Sequence, residues 1–234
     1  MTTERIVVAC PGPSLRLALA SHHRVEALEQ GRQELVTVNR AVELVRPHTW
    51  TPRVAWIPLE EGEPWWWCFG DHQTHDMFRI AGGVHRPRLF APRGVMEAWE
   101  RRSPASWEAW GRGVYERGEY DAWDDRVGER ETPIFHGWRK KSGTAAIVLG
   151  VRRALARGLT RVDVLGADMV GKNDWTGDRA DGRSRERWQS ERQQYNRVRY
   201  WAEKQGVRLV RWLPEGRGEL YPSDTAVVDV LPEE

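Results

Sequence analysis

A turn of proline, glycine and serine follows the first apolar segment of the chain and is the strongest candidate for a ligand-binding motif. Ile6–Cys10 is a continuous apolar run, which is typical of a strand covered on both faces of a parallel sheet. Pro11–Ser14 then lies where such sheets bind ligands, beyond the carboxyl end of a strand. Gly12 lets a ligand approach the backbone closely, and Ser14 suits either a helix cap or a phosphate contact. The turn, including Pro13, therefore predicts nucleotide or phosphate binding, with a purely structural turn as the alternative.

Two further polar residues end predicted strands at the same edge of the sheet. Asn39 directly follows Leu35–Val38, where its amide suits a base or a ribose, and an Asx turn fits the pattern equally well. Asp168 follows Arg161–Gly166, and its carboxylate suits a ribose hydroxyl, a metal ion or a cap. Because the carboxyl ends of parallel strands meet at one edge, both side chains are expected on the ligand-facing side.

A pair of lysines precedes the clearest predicted helix. This helix opens at Ser142 and closes at Gly158, a residue suited to the left-handed conformation that ends many helices. Unpaired N–H groups and the helix dipole favour an anion at such a start. Capping by Ser142 explains the serine but not two adjacent lysines in a chain that has four. We therefore predict a phosphate site formed by Lys140, Lys141, Ser142 and Gly143.

The segment from Gly70 to Asp76 concentrates groups that transfer protons. Its seven residues include two carboxylates and two imidazoles, a density that suits proton transfer or metal ligation. No cysteine or further histidine motif completes a zinc site, so a general base is favoured over a metal, with a solvated loop as the alternative. One more histidine stands just before the lysine pair. The candidate bases are Asp71, His72, His75 and His136.

The C-terminal part of the chain interleaves basic and aromatic side chains. Between Asp178 and Arg217 eleven basic and six acidic residues leave a surplus of five, although the formal net charge of the chain is only +2. That pattern favours a polyanion-facing surface. A helix that buries an aromatic stripe and exposes its arginines produces the same pattern. The residues predicted to contact a nucleic-acid acceptor are Trp175, Arg183, Arg185, Arg187 and Trp188.

Strands and helices alternate along most of the chain, which predicts an α/β fold. We expect a Rossmann-like, mostly parallel sheet with helices on both faces, in a single domain spanning 1–234. A third strand is predicted at Val54–Ile57 and a final strand at Val207–Trp212, after a helix over about Arg185–Lys204. On that helix an aromatic stripe recurs at helical spacing.

The middle of the chain lacks a clean period. The stretch 60–133 is rich in Trp, Gly, Pro and Arg, and we predict an irregular insertion or lid there. Short helices are expected around Val95–Trp110. The strongly charged tail Arg112–Glu131 is predicted to be the lid itself.

Composition excludes several classes of protein. A chain of 234 residues suits one sizeable domain, and its two cysteines are too few for a disulfide scaffold and fit a reducing cytoplasm. The sequence has no 18-residue apolar run and no signal peptide, so neither a membrane span nor secretion is expected. The 14 tryptophans and the excess of arginine over lysine suit recognition of bases, sugars and phosphates, and a GC-rich genome explains them equally well.

Taken in order, the motifs resemble those of the family 42 sialyltransferases and their relatives. Val7–Leu15 resembles the opening G-x-G-P-S-L turn of that family, and Val36–Asn39 resembles its second strand with a nucleotide-binding asparagine. The Ser142–Gly143 helix start and Gly166–Met169 resemble its Ser-Gly helix and its G-x-D strand end. The same scheme recurs in archaeal hydroxymethylpterin pyrophosphokinase-like proteins and in phage proteins. The matching blocks cover roughly half of the chain.

The resemblance implies a Rossmann-like sheet that binds a nucleotide sugar and transfers the sugar to an acceptor hydroxyl. The sequence departs from the family in two places. Cys10-Pro11 replaces Gly-Asn in the first turn, and Asn173–Arg187, where the catalytic histidine is expected, contains no histidine. By the resemblance, the donor pocket is lined by Gly12, Ser14, Asn39, Ser142, Gly143 and Asp168.

The leading hypothesis is therefore a nucleotide-sugar-dependent glycosyltransferase, encoded by a phage and cytoplasmic in the infected host. The nucleotide sugar is the co-substrate and no tightly bound cofactor is expected, while a need for a divalent metal stays open. The candidate acceptor is a hydroxymethylated pyrimidine in DNA, and the oligomeric state is not predicted. Two alternatives remain: a metal-dependent pyrophosphokinase-type transferase, and a nucleotide- or nucleic-acid-binding protein without catalysis.

Overall fold

The computed structural model of the chain describes residues 5–12, 14–15, 33–47, 57–59, 65–70, 87–122, 141–169, 185–215 and 219–227. These residues form a large sheet of eight strands, a small sheet of two strands, and helices. The strands are β1 (Arg5–Ala9), β2 (Gln33–Val38), β3 (Val45–Pro47), β4 (Ile57–Leu59), β5 (Trp65–Cys68), β6 (Arg88–Ala91), β7 (Tyr120–Ala122), β8 (Arg161–Leu165), β9 (Arg208–Glu215) and β10 (Glu219–Ser223). The predicted α/β class with a mostly parallel sheet is confirmed.

The helices fall in three groups along the chain. A 3-10 helix, Asn39–Leu44, directly follows β2. The middle group runs through α1 (Arg93–Arg102), α2 (Pro104–Ser106), a π-helical turn (Trp107–Gly111) and α3 (Arg112–Glu116). The long helices are α4 (Ser142–Arg157) and α5 (Arg185–Lys204), both with the predicted bounds.

The order of strands in the large sheet reverses between β1 and β8, and the region beyond the carboxyl ends of these strands is called the crevice below. The order is β10-β9-β8-β1-β2-β5-β6-β7, and every neighbouring pair is parallel except the antiparallel pair β9 and β10. The chain leaves β1 for β2 on one side and later adds β8 on the other side. In doubly wound sheets, ligands bind beyond the strand ends at such a reversal. The carboxyl ends of β1 and β8 are therefore the expected ligand-binding position, compatible with the predicted Rossmann-like arrangement.

Helices cover both faces of the large sheet, as predicted. Val8 and Val162 belong to the core on one face, which α4 and α5 complete. Val7 belongs to the core on the opposite face, together with Trp99 of α1 and Val114 of α3. Neighbouring residues of β1 thus enter different cores, which explains why the strand is apolar throughout rather than alternating.

The aromatic stripe of α5 packs inward. Tyr195, Val198 and Trp201 are buried in the core that α4 and α5 share with the sheet. Trp188 is half-buried and packs against the same core. The inward-packing interpretation of this helix is therefore correct.

The prediction of an irregular insertion over 60–133 is wrong for the described residues of that stretch. They supply β5, β6 and β7 to the large sheet and the helices α1–α3 to one of its faces. The strand β5 consists of Trp65–Cys68, all four buried, so it shows no alternation from which a strand would be recognised. Within the predicted lid, residues 112–122 form α3 and β7, and residues 123–131 lie outside the described part of the chain.

The three consecutive tryptophans of β5 tie this strand to its neighbour β2. Each indole N–H donates to a different acceptor on or just after β2: Trp65 to Thr37 Oγ1 at 3.2 Å, Trp66 to Glu34 Oε1 at 2.9 Å, and Trp67 to the Asn39 carbonyl at 2.9 Å. A buried indole N–H needs such an acceptor, since leaving it unpaired is costly. This part of the tryptophan excess is therefore structural.

Glu34 connects the lower end of β2 to α4. Its side chain is fully buried and accepts hydrogen bonds from the Arg153 guanidinium, with Nη2 at 3.2 Å from Oε2. The Arg157 guanidinium lies 3.5 Å from the same Oε2. A buried carboxylate is tolerated because these cations and an indole N–H compensate it.

Candidate functional site

Two turns meet at the floor of the crevice between β1 and β8. The Gly12 amide donates to the Gly166 carbonyl at 2.9 Å, and the Cys10 amide donates to the Leu165 carbonyl at 2.8 Å. A Cβ at position 12 would lie 2.3 Å from the Gly166 carbonyl oxygen and 2.3 Å from Asp168 Oδ2. Gly12 is therefore required by the close approach of the second turn.

Asp168 holds the first turn in place. Its Oδ2 accepts a hydrogen bond of 2.9 Å from the Ser14 backbone N–H. Burial raises the pKa of the Asp168 carboxyl above its ordinary value, and hydrogen bonding from Ser14 and the positive charge of Arg211 oppose that rise only in part. Of the three uses predicted for Asp168, the structure shows one that is close to capping, because the carboxylate satisfies an amide at the start of a helical turn.

Hydrogen bonds hold both the backbone and the side chain of Asn39 at the end of β2. Its backbone has φ of +46°, a conformation that asparagine tolerates better than most residues. Trp67 donates to its carbonyl, and its own Nδ2 donates to Ser142 Oγ at 3.0 Å. The predicted neighbours Asn39 and Ser142, far apart in sequence, are thus brought into direct contact.

Two buried polar atoms at this edge have no hydrogen-bond partner within the described residues. They are the Ser14 hydroxyl and Asn39 Oδ1. Ser14 is only 3% exposed, so its side chain is shielded from bulk solvent. Buried polar atoms are nearly always paired, so these two are candidates for contact with a ligand.

The start of α4 lies at the same edge of the sheet. Lys141 is the residue before the helix, and no side chain caps it. The Ser142 carbonyl accepts from Cys68 Sγ at 3.3 Å, which anchors the helix start to β5. Apart from its chain neighbours and its own helix backbone, no atom of the described residues lies within 4 Å of the position that a Cβ of residue 143 would take. The helix therefore presents open space at its first turn, where N–H groups have no intrahelical acceptor.

Of the two adjacent lysines, only Lys141 belongs to the described residues. The Lys141 ammonium donates to Ser190 Oγ of α5 at 2.9 Å, so in this structure it is directed to a neighbouring helix. Lys140 lies outside the described residues. Thr144, one turn along, donates to Gln194 Oε1 at 3.1 Å and adds a second polar contact between α4 and α5.

The thiol beside the helix start is not a nucleophile. Burial raises the pKa of Cys68 well above its ordinary value, and the nearby Cys10 raises it further. The thiol therefore stays protonated and serves as a hydrogen-bond donor, because the thiolate is the nucleophilic form. Both cysteines are buried and free.

Sequence reasoning missed a buried arginine beside the second turn. Arg211 of β9 is 7% exposed, and its Nη1 lies 3.4 Å from the Ala167 carbonyl. Its guanidinium carbon lies 5.4 Å from the centre of the Tyr195 ring. The only signal in the sequence was an arginine at an inward position of an alternating strand, since Leu209 and Arg211 point to the same face.

Most residues predicted to act as bases or to contact an acceptor lie outside the described residues. These are Asp71, His72, His75, His136, Trp175 and Arg183, and Pro13 of the predicted donor-binding turn also lies outside the described residues. Arg185 and Arg187 belong to the first turn of α5, and their side chains are not described. Trp188, predicted as a nucleic-acid contact, instead packs against the core because it lies on the inward stripe of α5.

Neither a metal-binding cluster nor a membrane-spanning helix is found among the described residues. No group of three or more His, Cys, Asp or Glu side chains among the described residues is arranged to hold a metal ion. No helix in that part is long and apolar enough to cross a membrane.

Comparison with known proteins gives no family for this chain. No family model matches it, and neither a curated protein nor a solved structure is significantly similar to it.

Proposed function

We propose that this protein is a nucleotide-sugar-dependent glycosyltransferase whose donor nucleotide binds in the crevice between β1 and β8. The observation that carries the proposal is a pair of buried atoms, Ser14 Oγ and Asn39 Oδ1, that have no hydrogen-bond partner among the described residues and follow the neighbouring strands β1 and β2. The resemblance of the turn and helix motifs to the family 42 sialyltransferases supports a sugar as the transferred group.

Asn39 is suited to read the nucleoside. Its Nδ2 is already used by Ser142, so Oδ1 remains as the acceptor for an N–H of the base or a hydroxyl of the ribose. The Ser14 hydroxyl both donates and accepts, which suits a ribose or phosphate oxygen. Both residues are held by other contacts, so the site is preorganised for its ligand.

The donor phosphates are proposed to rest on the first turn of α4. Open space above Gly143 lets an oxyanion reach the unpaired N–H groups there, and the helix dipole favours its charge. The same groups stabilise the charge that grows on the nucleotide as the glycosidic bond breaks. The acceptor hydroxyl forms the new bond to the anomeric carbon and gives its proton to a general base. The candidate bases remain Asp71, His72, His75 and His136.

The acceptor is proposed to be a hydroxymethylated pyrimidine in DNA. The support is the surplus of five positive charges between Asp178 and Arg217. The described tryptophans of that segment add no support, because Trp188, Trp201 and Trp212 pack into or against the core. Binding to duplex DNA should weaken steeply with salt, and salt-independent binding would contradict this acceptor.

Paired variants test the donor site. S14A removes a hydroxyl that has no hydrogen-bond partner among the described residues, so the stability of the protein should be unchanged while nucleotide affinity falls about 2- to 10-fold, the value of one neutral hydrogen bond. T37V is the matched control, because Thr37 donates to the Trp66 carbonyl and accepts from Trp65. It should lower the melting temperature and leave affinity unchanged. Isothermal titration with UDP-, CMP- and GDP-sugars measures both variants, and equal affinity of S14A and wild type would overturn the assignment.

A second substitution locates the phosphates. G143A adds a methyl group in open space, so the unliganded protein should fold as before. A ligand seated on the first turn of α4 meets that methyl group, and its affinity should fall at least tenfold. G94A, at an exposed helical glycine of α1 with nothing within 4 Å, should leave affinity unchanged.

Turnover distinguishes the transferase from a protein that only binds nucleotides. The second candidate is favoured by one observation: the carboxylate of Asp168 is already engaged by the Ser14 amide. Mass spectrometry of hydroxymethylated DNA incubated with the best-binding donor should show the mass of one added sugar. Tight donor binding without any transferred or hydrolysed sugar would establish the binding protein instead.

A further inference from the structure

Two arginines from different elements converge on the turn that follows β8. Arg211 of β9 donates to the Ala167 carbonyl at 3.4 Å, and Arg192 of α5 donates to the Met169 carbonyl at 3.2 Å. The two carbonyls flank Asp168 on either side. Met169 has φ of +55°, a strained value for a non-glycine residue. The turn is thus held in an uncommon conformation with two guanidinium groups around it.

Arg211 is poorly compensated for a buried charge. It is 7% exposed, its Nε has no partner within the described residues, and its one hydrogen bond there is long. Burial lowers the pKa of Arg211, and the charge of Arg192 adds to that effect, while Tyr195, Asp168 and Tyr221 oppose it. Tyr195 lies beneath it with an unpartnered buried hydroxyl. A cation in such a position normally has an anion beside it.

Two other buried charges of this protein are compensated by hydrogen-bond donors of the protein itself. Glu34 is compensated by two guanidinium groups and an indole N–H. Asp163 accepts from Arg161 at 2.8 Å and from Trp212 at 2.9 Å. Arg211 has no carboxylate at comparable distance among the described residues, although Asp168 is near enough to affect its pKa. Among the described residues, therefore, Arg211 has the Asp168 carboxyl nearby but no carboxylate paired with its guanidinium.

We propose that Arg211, together with Arg192, binds a phosphoryl group at the carboxyl ends of β8 and β9. Guanidinium groups match phosphate oxygens with paired N–H donors. The depth of Arg211 favours a small phosphorylated ligand over the backbone of a nucleic acid, which stays at the protein surface. If the donor occupies the neighbouring crevice, as proposed above, this phosphoryl group is part of the donor, and in that respect the inference rests on the proposed function.

Inorganic pyrophosphate tests the site independently of any donor. It should raise the melting temperature of the wild-type protein, and in R211M its affinity should fall about 10- to 100-fold, the value of a charge-assisted hydrogen bond. R211K keeps the charge and loses the planar fork, so its affinity should lie between the two. R199M removes a positive charge from α5 at a residue paired with Glu203, and should bind pyrophosphate as the wild type does.

Three results would overturn the inference. Equal loss of pyrophosphate affinity in R211M and R199M would indicate a general charge effect, and no loss in R211M would remove Arg211 from the site. Loss of oligonucleotide binding alone in R211M, with pyrophosphate binding intact, would assign the arginine to a nucleic acid. Binding of pyrophosphate through Arg211 with no binding of any nucleotide sugar would support this site and refute the proposed donor.

Discussion

The Ser14 amide and the Asp168 carboxylate, 154 positions apart in the sequence, are joined by a hydrogen bond of 2.9 Å. This contact closes the floor of the crevice by tying the turn after β1 to the turn after β8. The contact uses the backbone N–H of Ser14. The Ser14 hydroxyl lies close enough to the same carboxyl to lower its pKa, and it has no hydrogen bond of normal geometry among the described residues. The contact thus fixes the position of the first turn against the second.

Gly12 should not tolerate even a methyl group. In G12A the added Cβ would stand 2.3 Å from a backbone oxygen of Gly166, which cannot move as a flexible side chain does. We expect a loss of about 1–3 kcal/mol in the free energy of unfolding, the usual cost of overpacking. Urea unfolding measures it, with G94A as the control, since alanine at that exposed helical position should stabilise by up to about 1 kcal/mol. Equal stability of G12A and wild type would contradict the tight contact between the turns.

Asp168 should make stability depend on pH in an unusual direction. Its pKa is raised by burial, so the folded protein holds the proton to a higher pH than the unfolded chain does. Stability from this group is therefore present at low pH and is lost as pH rises above about 3.9, the unfolded value, through the folded pKa. D168N keeps an acceptor for the Ser14 amide and removes the titration. The variant should gain stability relative to wild type between pH 3 and pH 7, and a constant difference would refute the assignment.

Tyr195 should control stability at alkaline pH. Burial raises the pKa of Tyr195 to about 12, so the folded protein keeps the phenol neutral after the unfolded chain has begun to ionise near its ordinary value of about 10. Stability is therefore lost as pH rises between these two values. Y195F should lack this loss, and at neutral pH should be about 1 kcal/mol more stable because it removes a buried hydroxyl that has no hydrogen-bond partner among the described residues. Chemical unfolding at pH 8 and pH 11 compares the two proteins.

Substitution of Glu34 should lower the free energy of unfolding more than most single substitutions outside the crevice. E34Q removes the charge that compensates Arg153 and Arg157. We expect a loss of about 2–3 kcal/mol, below the cost for fully buried pairs because both arginines reach solvent. E119Q is the control, since Glu119 pairs with Arg117 at the surface and should contribute at most about 1 kcal/mol. Similar unfolding midpoints for the two variants would contradict the role given to Glu34.

Much of the sheet was predictable because its central strands and flanking helices have strong local signals. A continuous apolar run predicts β1. Gly158, with φ of +69°, ends α4 where the sequence predicts. The strands β5–β7 carried no such signal. Trp65–Trp67 enter both cores and donate to side chains and backbone on β2, and no local period encodes these long-range contacts.

The candidate site was predictable in its location and not in its contacts. The rule that parallel strands end at one edge brought Gly12, Ser14, Asn39 and Asp168 to the crevice, as the structure has them. No rule of spacing predicts that Lys141 donates to Ser190 on another helix. Whether an inward arginine such as Arg211 has a partner depends on side chains far away in sequence, so a sequence alone does not reveal it.

The anchoring of α4 to β2 at two points also restricts the lengths of these elements. Ser142 and Arg153 of the helix contact Asn39 and Glu34 at opposite ends of the strand. The helical segment between the anchors measures about 16.5 Å at about 1.5 Å per residue, and the strand segment measures about 16.5 Å at about 3.3 Å per residue. One extra residue in the helix would turn Arg153 by about 100°, and one in the strand would reverse its faces. An insertion in β2 should therefore be tolerated only together with one in α4, at about two strand residues for about four helical residues. Single-residue insertions should be tolerated only in the connecting loops.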